Sequence, residues 1–142
     1  MSDHLALGGA LRQDLALIDT SAVVALQDQR EAHHAAARLF FDESVLDWAA
    51  VNLTANETFT RLRYESDVSA GFAGFNFLRT NLTVIDFRPE DEVRVKSLLT
   101  KYADHKISYH DALCAAIMLR NGIYKIFTFD RDFLILGFQV LP

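Results

Sequence analysis

Several protein classes are excluded by what this chain holds little of. Among 142 residues there is one cysteine, Cys114, which cannot close an internal disulfide or build a thiolate metal cluster. Two prolines and six glycines are too few for a collagen-like fibre or a long linker. The longest uncharged apolar runs, around Phe72–Leu78 and over 133–142, are about half the ~18 residues that a membrane helix needs. The first residues, Met1-Ser2-Asp3-His4, are acidic where a secretory signal is basic, so the expectation is a cytoplasmic protein without membrane attachment. A basic surplus is also missing: 14 Lys and Arg stand against 19 Asp and Glu, a net charge of −5. Phosphate neutralisation supplies most of the affinity of ordinary nucleic-acid binders, so nonspecific duplex coating is disfavoured. An enzyme that meets phosphate through bound cations escapes that objection, because the metal brings its own positive charge.

What is present is a globular composition, 51% hydrophobic and 23% charged with a mean hydropathy of +0.10, and a length that suits one domain with one core. Residues 1–14 lack periodicity and contain Gly8-Gly9; they are read as an N-terminal extension to a domain spanning 15–142. Within that domain strand and helix patterns alternate. Leu15–Ile18 is an apolar run of buried-strand type, and a helix is expected over Ala22–Gln27. Helical spacing of Ala35, Ala36, Leu39 and Phe40 predicts a helix over Glu31–Phe41. The pattern continues with a strand over Val45–Val51, helices over Thr54–Tyr64 and Val68–Thr80, and a strand over Leu82–Ile85. Pro89 and the acids after it open a further helix. Ser108–Asn121 is the strongest helix, with Gly122 beyond its end. Ile123–Phe129 and Gln139–Leu141 complete the strands. Apolar strands without polar alternation, separated by helices, predict an α/β three-layer sandwich around a parallel sheet of four or five strands. Ligand sites in such sheets lie beyond the carboxyl ends of the strands.

Four carboxylates fall where helices or turns follow strands: Asp19, Glu57, Asp111 and Asp130, separated by 38, 54 and 19 residues. Each has a plain structural reading. Thr54-x-x-Glu57 and Ser108-x-x-Asp111 fit capping boxes, Asp19 fits a helix N-cap, and Asp130 a turn. Gathered on one sheet edge they would repel one another, and helix N-termini soften that by only about 0.3–1 kcal/mol each. A bound divalent cation removes the conflict. Carboxylate oxygens with no His/Cys cluster suit Mg²⁺ or Mn²⁺ rather than zinc, and such sites polarise phosphoryl oxygens and activate water.

The segments Leu17-Ile18-Asp19-Thr20-Ser21, Asn56-Glu57, Ser108-Tyr109-His110-Asp111-Ala112-Leu113 and Phe127-Thr128-Phe129-Asp130-Arg131-Asp132-Phe133, closing with Gly137-Phe138, resemble the PIN domain, and more narrowly the VapC-type toxin ribonucleases of toxin–antitoxin pairs. The resemblance spans residues 15–142 in the family's order. It implies a PIN-like fold and hydrolysis of RNA phosphodiester bonds. It places the catalytic and metal-binding acids at Asp19, Glu57, Asp111 and Asp130, with Asp132 as a further metal carboxylate. It also implies bound Mg²⁺ or Mn²⁺, Ser21 or Thr128 as an orienting hydroxyl, and a cognate antitoxin as partner.

Other residues are read from their spacing. Arg61 lies four residues after Glu57 and would pair with it or touch phosphate. His33 and His34 are expected at the surface, Cys114 in the core, and neither His105 nor His110 is needed where a cation activates water. The aromatic run from Gly71 to Phe77 is expected to fill core or to line a homodimer or antitoxin groove. Alternatives to a toxin ribonuclease are a non-catalytic PIN-fold module that binds RNA or protein, a housekeeping PIN nuclease, and a phosphatase or receiver domain. The last pair fits poorly, since Asp19-Thr20-Ser21 lacks the Asp-x-Asp of one and Lys125 is misplaced for the other.

Overall fold

The computed structural model describes residues 13–142; residues 1–12, most of the expected extension, lie outside the described part. Five strands form one sheet: β1 Leu15–Ile18, β2 Asp47–Val51, β3 Thr83–Ile85, β4 Lys125–Phe127 and β5 Gln139–Leu141. Their order is β3-β2-β1-β4-β5, and every neighbouring pair is parallel. The helices are α1 Thr20–Gln27, α2 His34–Glu43, α3 Asn52–Glu65, α4 Val68–Asn81, α5 Asp91–Lys101, α6 Tyr109–Asn121 and the single turn α7 Asp132–Ile135.

The pleat sends alternate residues of β1 into opposite layers. Leu15 and Leu17 pack with Ala49, Val51, Val95, Leu98 and the buried length of α6, while Ile18 packs with Ala22, Val23, Leu26, Ala50, Leu78 and Phe127. Both faces of the sheet are therefore covered, and all four residues of β1 are buried, which explains why this strand shows no polar alternation. This is the three-layer sandwich expected from the sequence. Gly122 (φ 68°) ends α6 in the left-handed region, and the Ile123 amide returns to the Met118 carbonyl (2.9 Å).

Element ends move where a local hydrogen bond outranks the apolar pattern. The β2 strand starts at Asp47 rather than Val45, because the Leu46 amide is taken by the Ser44 hydroxyl (3.1 Å) and Val45 is left 97% exposed. The β4 strand shrinks to three residues from the seven expected: Ile123 belongs to the helix stop, and the Phe129 amide turns to the Ser21 hydroxyl (3.0 Å). The α2 helix begins at His34 rather than Glu31. The α3 and α4 helices approach closely because Gly71 and Gly74 lie between them; a Cβ on Gly71 would lie 3.0 Å from the Phe59 carbonyl oxygen. The α7 turn had no periodicity to reveal it. No helix among the described residues is long and apolar enough to cross a membrane.

Candidate active site

The chain runs from β1 to β2 on one side and reaches β4 on the other, so the carboxyl ends of β1 and β4 flank the sheet's topological switch point. Asp19 is the first residue beyond β1 and Thr128 the first beyond β4. The Asp19 amide donates to the Phe127 carbonyl (3.0 Å) and the Thr128 amide to the Leu141 carbonyl (3.2 Å), so both leave the sheet at one level.

A hydroxyl clamp fixes the two segments beyond these strand ends. The Thr128 hydroxyl donates to Asp19 Oδ2 (2.9 Å) and accepts the Asp130 amide (2.9 Å). Ser21 Oγ lies 3.1 Å from Thr128 Oγ1 and accepts the Phe129 amide (3.0 Å). Ser21 and Thr128 thus tie the β1 acid to the β4 acid. Asp19 occupies the N-cap position of α1, yet its carboxylate makes no capping bond; the Thr128 hydroxyl has it instead, so the N-cap reading of that side chain fails. Asp130 accepts the Asp132 amide (2.9 Å) in a turn that leads into α7, so its turn role is real. Ser108 caps α6 by accepting the Asp111 amide (3.0 Å), which aims the Asp111 carboxylate out of the first turn.

One oxygen each of Asp111, Asp130 and Asp132 lie within 4.8 Å of one another. Burial pushes the Asp111 carboxyl up to about 8, helped by its hydrogen bond to Asp130 and by the charges of Asp19, Asp130 and Asp132. The Asp111 carboxyl therefore ionises reluctantly when no cation is bound. Burial also raises Asp19, as does the charge of Glu57, against the opposing Thr20 amide, Thr128 hydroxyl and His110. Asp132 is raised by burial and by Asp130, with His105 acting the other way. Glu57, on α3, has its Oε2 3.5 Å from His110 Nε2. The structure thus brings Asp19, Asp111, Asp130 and Asp132 into one coupled acidic group and joins Glu57 to it through His110 and its field on Asp19.

Three expectations need correction. Arg61 does not pair with Glu57: it lies on the exposed side of α3 and meets Glu65 Oε1 (3.5 Å) four residues on. Thr54 caps nothing, because α3 starts at Asn52 with Val51 as its N-cap; the Thr54 hydroxyl is buried and lies 3.2 Å from His110 Nε2. The premise that no His/Cys group accompanies the acids also fails, since Asp19, His110 and Cys114 each offer an atom within 4.8 Å of the others. His110, set aside in the sequence reading, lies among these acids. Its spacing of four from Cys114 marked a shared helical face, but nothing local showed that this face looks onto Thr54, Glu57 and Asp19. Cys114 is fully buried, as expected. His33 is exposed but stacks on Phe129 (ring centroids 4.2 Å apart), and half-buried His34 bonds to the Ala25 carbonyl (2.7 Å).

The donor set suits a hard divalent cation: carboxylate oxygens, close together, whose repulsion a positive charge relieves. A roomier hollow of about 760 Å³ between Glu92, Val93, Lys96, Leu99, Thr100, Ala103 and Tyr109 has no such convergence of acids, so chemistry rather than volume locates the site.

The PIN domain family model matches residues 16–139. The chain belongs to the PIN domain family. Solved structures agree with this placement. The PIN domain is similar to VapC20 of Mycobacterium tuberculosis, a Sarcin-Ricin loop cleaving toxin, with 25% identity and a TM-score of 0.81 over 87% of this chain and 95% of that one. It shares its fold with VapBC2 of Rickettsia felis bound to a DNA fragment from their promoter (13% identity, TM-score 0.66, covering 89% and 97%). The same holds for FitAcB of Neisseria gonorrhoeae (14%, TM-score 0.69, covering 89% and 96%). No curated protein sequence matches the chain. The resemblance to the PIN domain, and among solved structures to VapC toxins, therefore stands.

Proposed function

We propose that this PIN domain is a ribonuclease that depends on Mg²⁺ or Mn²⁺ and serves as the toxin of a type II toxin–antitoxin pair. The observation that carries the reading is the convergence of Asp111, Asp130 and Asp132 within 4.8 Å beside a buried Asp19. Without a cation such a pocket repels a phosphodiester, and its acids repel one another. Asp19, Asp111, Asp130 and Asp132 would hold the cation, with Glu57 at the rim; when bound, it supplies positive charge that polarises a phosphoryl oxygen and acidifies water.

The chain's own groups supply the order around that charge. Thr128 holds Oδ2 of Asp19 and the Asp130 amide on one oxygen, so the two segments cannot drift apart without breaking one of those bonds. Ser21 braces Thr128 and the Phe129 amide. Glu57 is 42% exposed in its side chain and is open to solvent-borne substrate. The toxin half of the proposal is supported by the likeness to VapC20 and by the VapBC and FitAcB assemblies that share the fold. The partner's expected place is the aromatic surface of α3 and α4, where Phe59, Phe72 and Phe75 line a hollow of about 320 Å³ and Phe72 is 53% exposed; a second copy of the chain is the other occupant that surface would take.

The test is cleavage of total RNA by the purified protein with Mg²⁺ or Mn²⁺ and with chelator. Cleavage with metal, none with chelator, and a loss of at least about a hundredfold in Asp19→Asn and Asp130→Asn with folding intact are expected, on the scale of removing a group that stabilises developing charge. Full activity in either variant, or undiminished activity in chelator, refutes the proposal.

A further inference from the structure

We propose that Asp19, His110 and Cys114, with Glu57 against His110 at the entrance, form a second, mixed-donor cation site, selective for a borderline ion such as Zn²⁺ or Co²⁺, and that filling it holds the nuclease off by engaging Asp19. His110 and Cys114 lie one turn apart on α6 and put nitrogen and sulfur on the same face. His110 Nε2 is 3.6 Å from Cys114 Sγ and 3.5 Å from Glu57 Oε2, and an Asp19 oxygen lies within 4.8 Å of both His110 and Cys114 donors. A tetrahedral zinc with Zn–S of about 2.3 Å, Zn–N of about 2.05 Å and Zn–O of about 2.1 Å has an S···N edge of about 3.6 Å and an N···O edge of about 3.4 Å. The His110–Cys114 edge therefore already has the dimension of an occupied site.

The chemistry of the donors separates this site from the all-carboxylate group. Asp111, Asp130 and Asp132 present oxygen alone and suit a hard ion, whereas thiolate and imidazole favour zinc, cobalt and their neighbours. Access is graded: the Glu57 side chain is 42% exposed, that of His110 19%, Asp19 is 4% and Cys114 0% exposed. An ion enters past Glu57 and His110 and finds sulfur at the bottom. In the cation-free form the Thr54 hydroxyl lies 3.2 Å from His110 Nε2 and 4.0 Å from Cys114 Sγ, giving both donors a polar neighbour. Binding replaces the S–H bond by a metal–sulfur bond, and the thiol proton leaves to solvent. Burial, with the charges of Asp19 and Asp111, pushes the Cys114 thiol well up, so the thiolate forms only when a cation arrives with it.

Binding is independent of the nuclease reading; inhibition rests on it. Protein stripped with chelator and titrated with Co²⁺ is expected to develop a thiolate-to-cobalt charge-transfer band, which Zn²⁺ bleaches. Cys114→Ala and Cys114→Ser lose that band and bind Zn²⁺ at least about tenfold more weakly, and His110→Ala weakens Zn²⁺ likewise. The serine variant keeps the volume and a polar partner for Thr54, so a folding defect in the alanine variant leaves the result readable. With Mg²⁺ present, one equivalent of Zn²⁺ stops RNA cleavage by the wild-type protein but not by Cys114→Ser. A cobalt spectrum without the charge-transfer band, or Cys114→Ser binding Zn²⁺ as tightly as the wild type, overturns the site. A cobalt band with zinc-resistant wild-type cleavage overturns the inhibition alone, and absence of cleavage under every cation refutes the nuclease reading while the spectrum still decides the site.

Discussion

Replacing Asp111 with asparagine is expected to make the cation-free protein more stable and less responsive to Mg²⁺. The wild-type carboxyl is held at about 8 against an ordinary 3.8, while in the unfolded chain it ionises normally. A folded-state value above the unfolded one contributes stability that is full below about pH 4 and is lost as pH rises toward 8. At pH 7 the shortfall is at most about 4 kcal/mol, taken at about 1.4 kcal/mol per pH unit. Water reaching this partly open group screens it to about 2 kcal/mol. Asparagine removes that cost. The net gain of about 2 kcal/mol corresponds to a rise of roughly 7 °C in Tm for a domain of this size.

Thermal melts in chelator at pH 5.5 and pH 8 provide the assay. Wild-type protein melts lower at pH 8 than at pH 5.5, and Asp111→Asn shows a shallower fall. Adding Mg²⁺ at a hundredfold excess over its Kd stabilises the wild type by about 2.7 kcal/mol and the variant by far less. An asparagine variant that melts at or below the wild type in chelator, and still gains the full increment from Mg²⁺, would show that these acids neither repel one another nor hold a cation.

Other perturbations separate the site from the scaffold. Thr128→Val deletes the hydroxyl that holds Asp19 and the Asp130 amide; Mg²⁺ affinity by calorimetry should fall about tenfold, the scale of one charge-assisted hydrogen bond, and an unchanged affinity would show that the clamp does not matter. Arg120→Ala leaves Asp91, 3% exposed, without its two guanidinium bonds (2.8 and 3.0 Å) and should cost about 3 kcal/mol in urea denaturation. Burial alone would raise Asp91, but the hydrogen bonds from Arg120 and the Arg88 amide, with the charges of both arginines, hold it below the usual carboxylate range. Its contribution is thus present above about pH 4 and lost as pH falls through the depressed value, so the difference between Arg120→Ala and wild type should shrink in acid. Gly74→Ala places a Cβ against Leu62 and 3.0 Å from the Thr58 methyl and should lower stability by about 1–2 kcal/mol, despite alanine's better helix propensity.

Legibility in the sequence tracked interaction range. The continuous apolar run of β1, the buried length of α6 with Gly122 beyond it, and the acids at strand ends depend on neighbours a few residues away, and all were readable there. The ends of β2 and β4 were not, because side-chain hydroxyls of Ser44 and Ser21 capture backbone amides, the second across 108 residues. Arg61 had carboxylates four residues away on either side, Glu57 and Glu65; the first faces His110 across the fold, and Arg61 meets the second.

By itself the amino-acid pattern determined a parallel α/β sandwich, the family it resembles, and which carboxylates to consider, since periodicity and local caps are properties of short segments. The tertiary structure alone decided that Asp111, Asp130 and Asp132 converge, that Thr128 holds Asp19, and that His110 and Cys114 stand beside Asp19. Those facts are distances between residues far apart in the chain. Only packing a twisted sheet between two helical layers brings them to one edge.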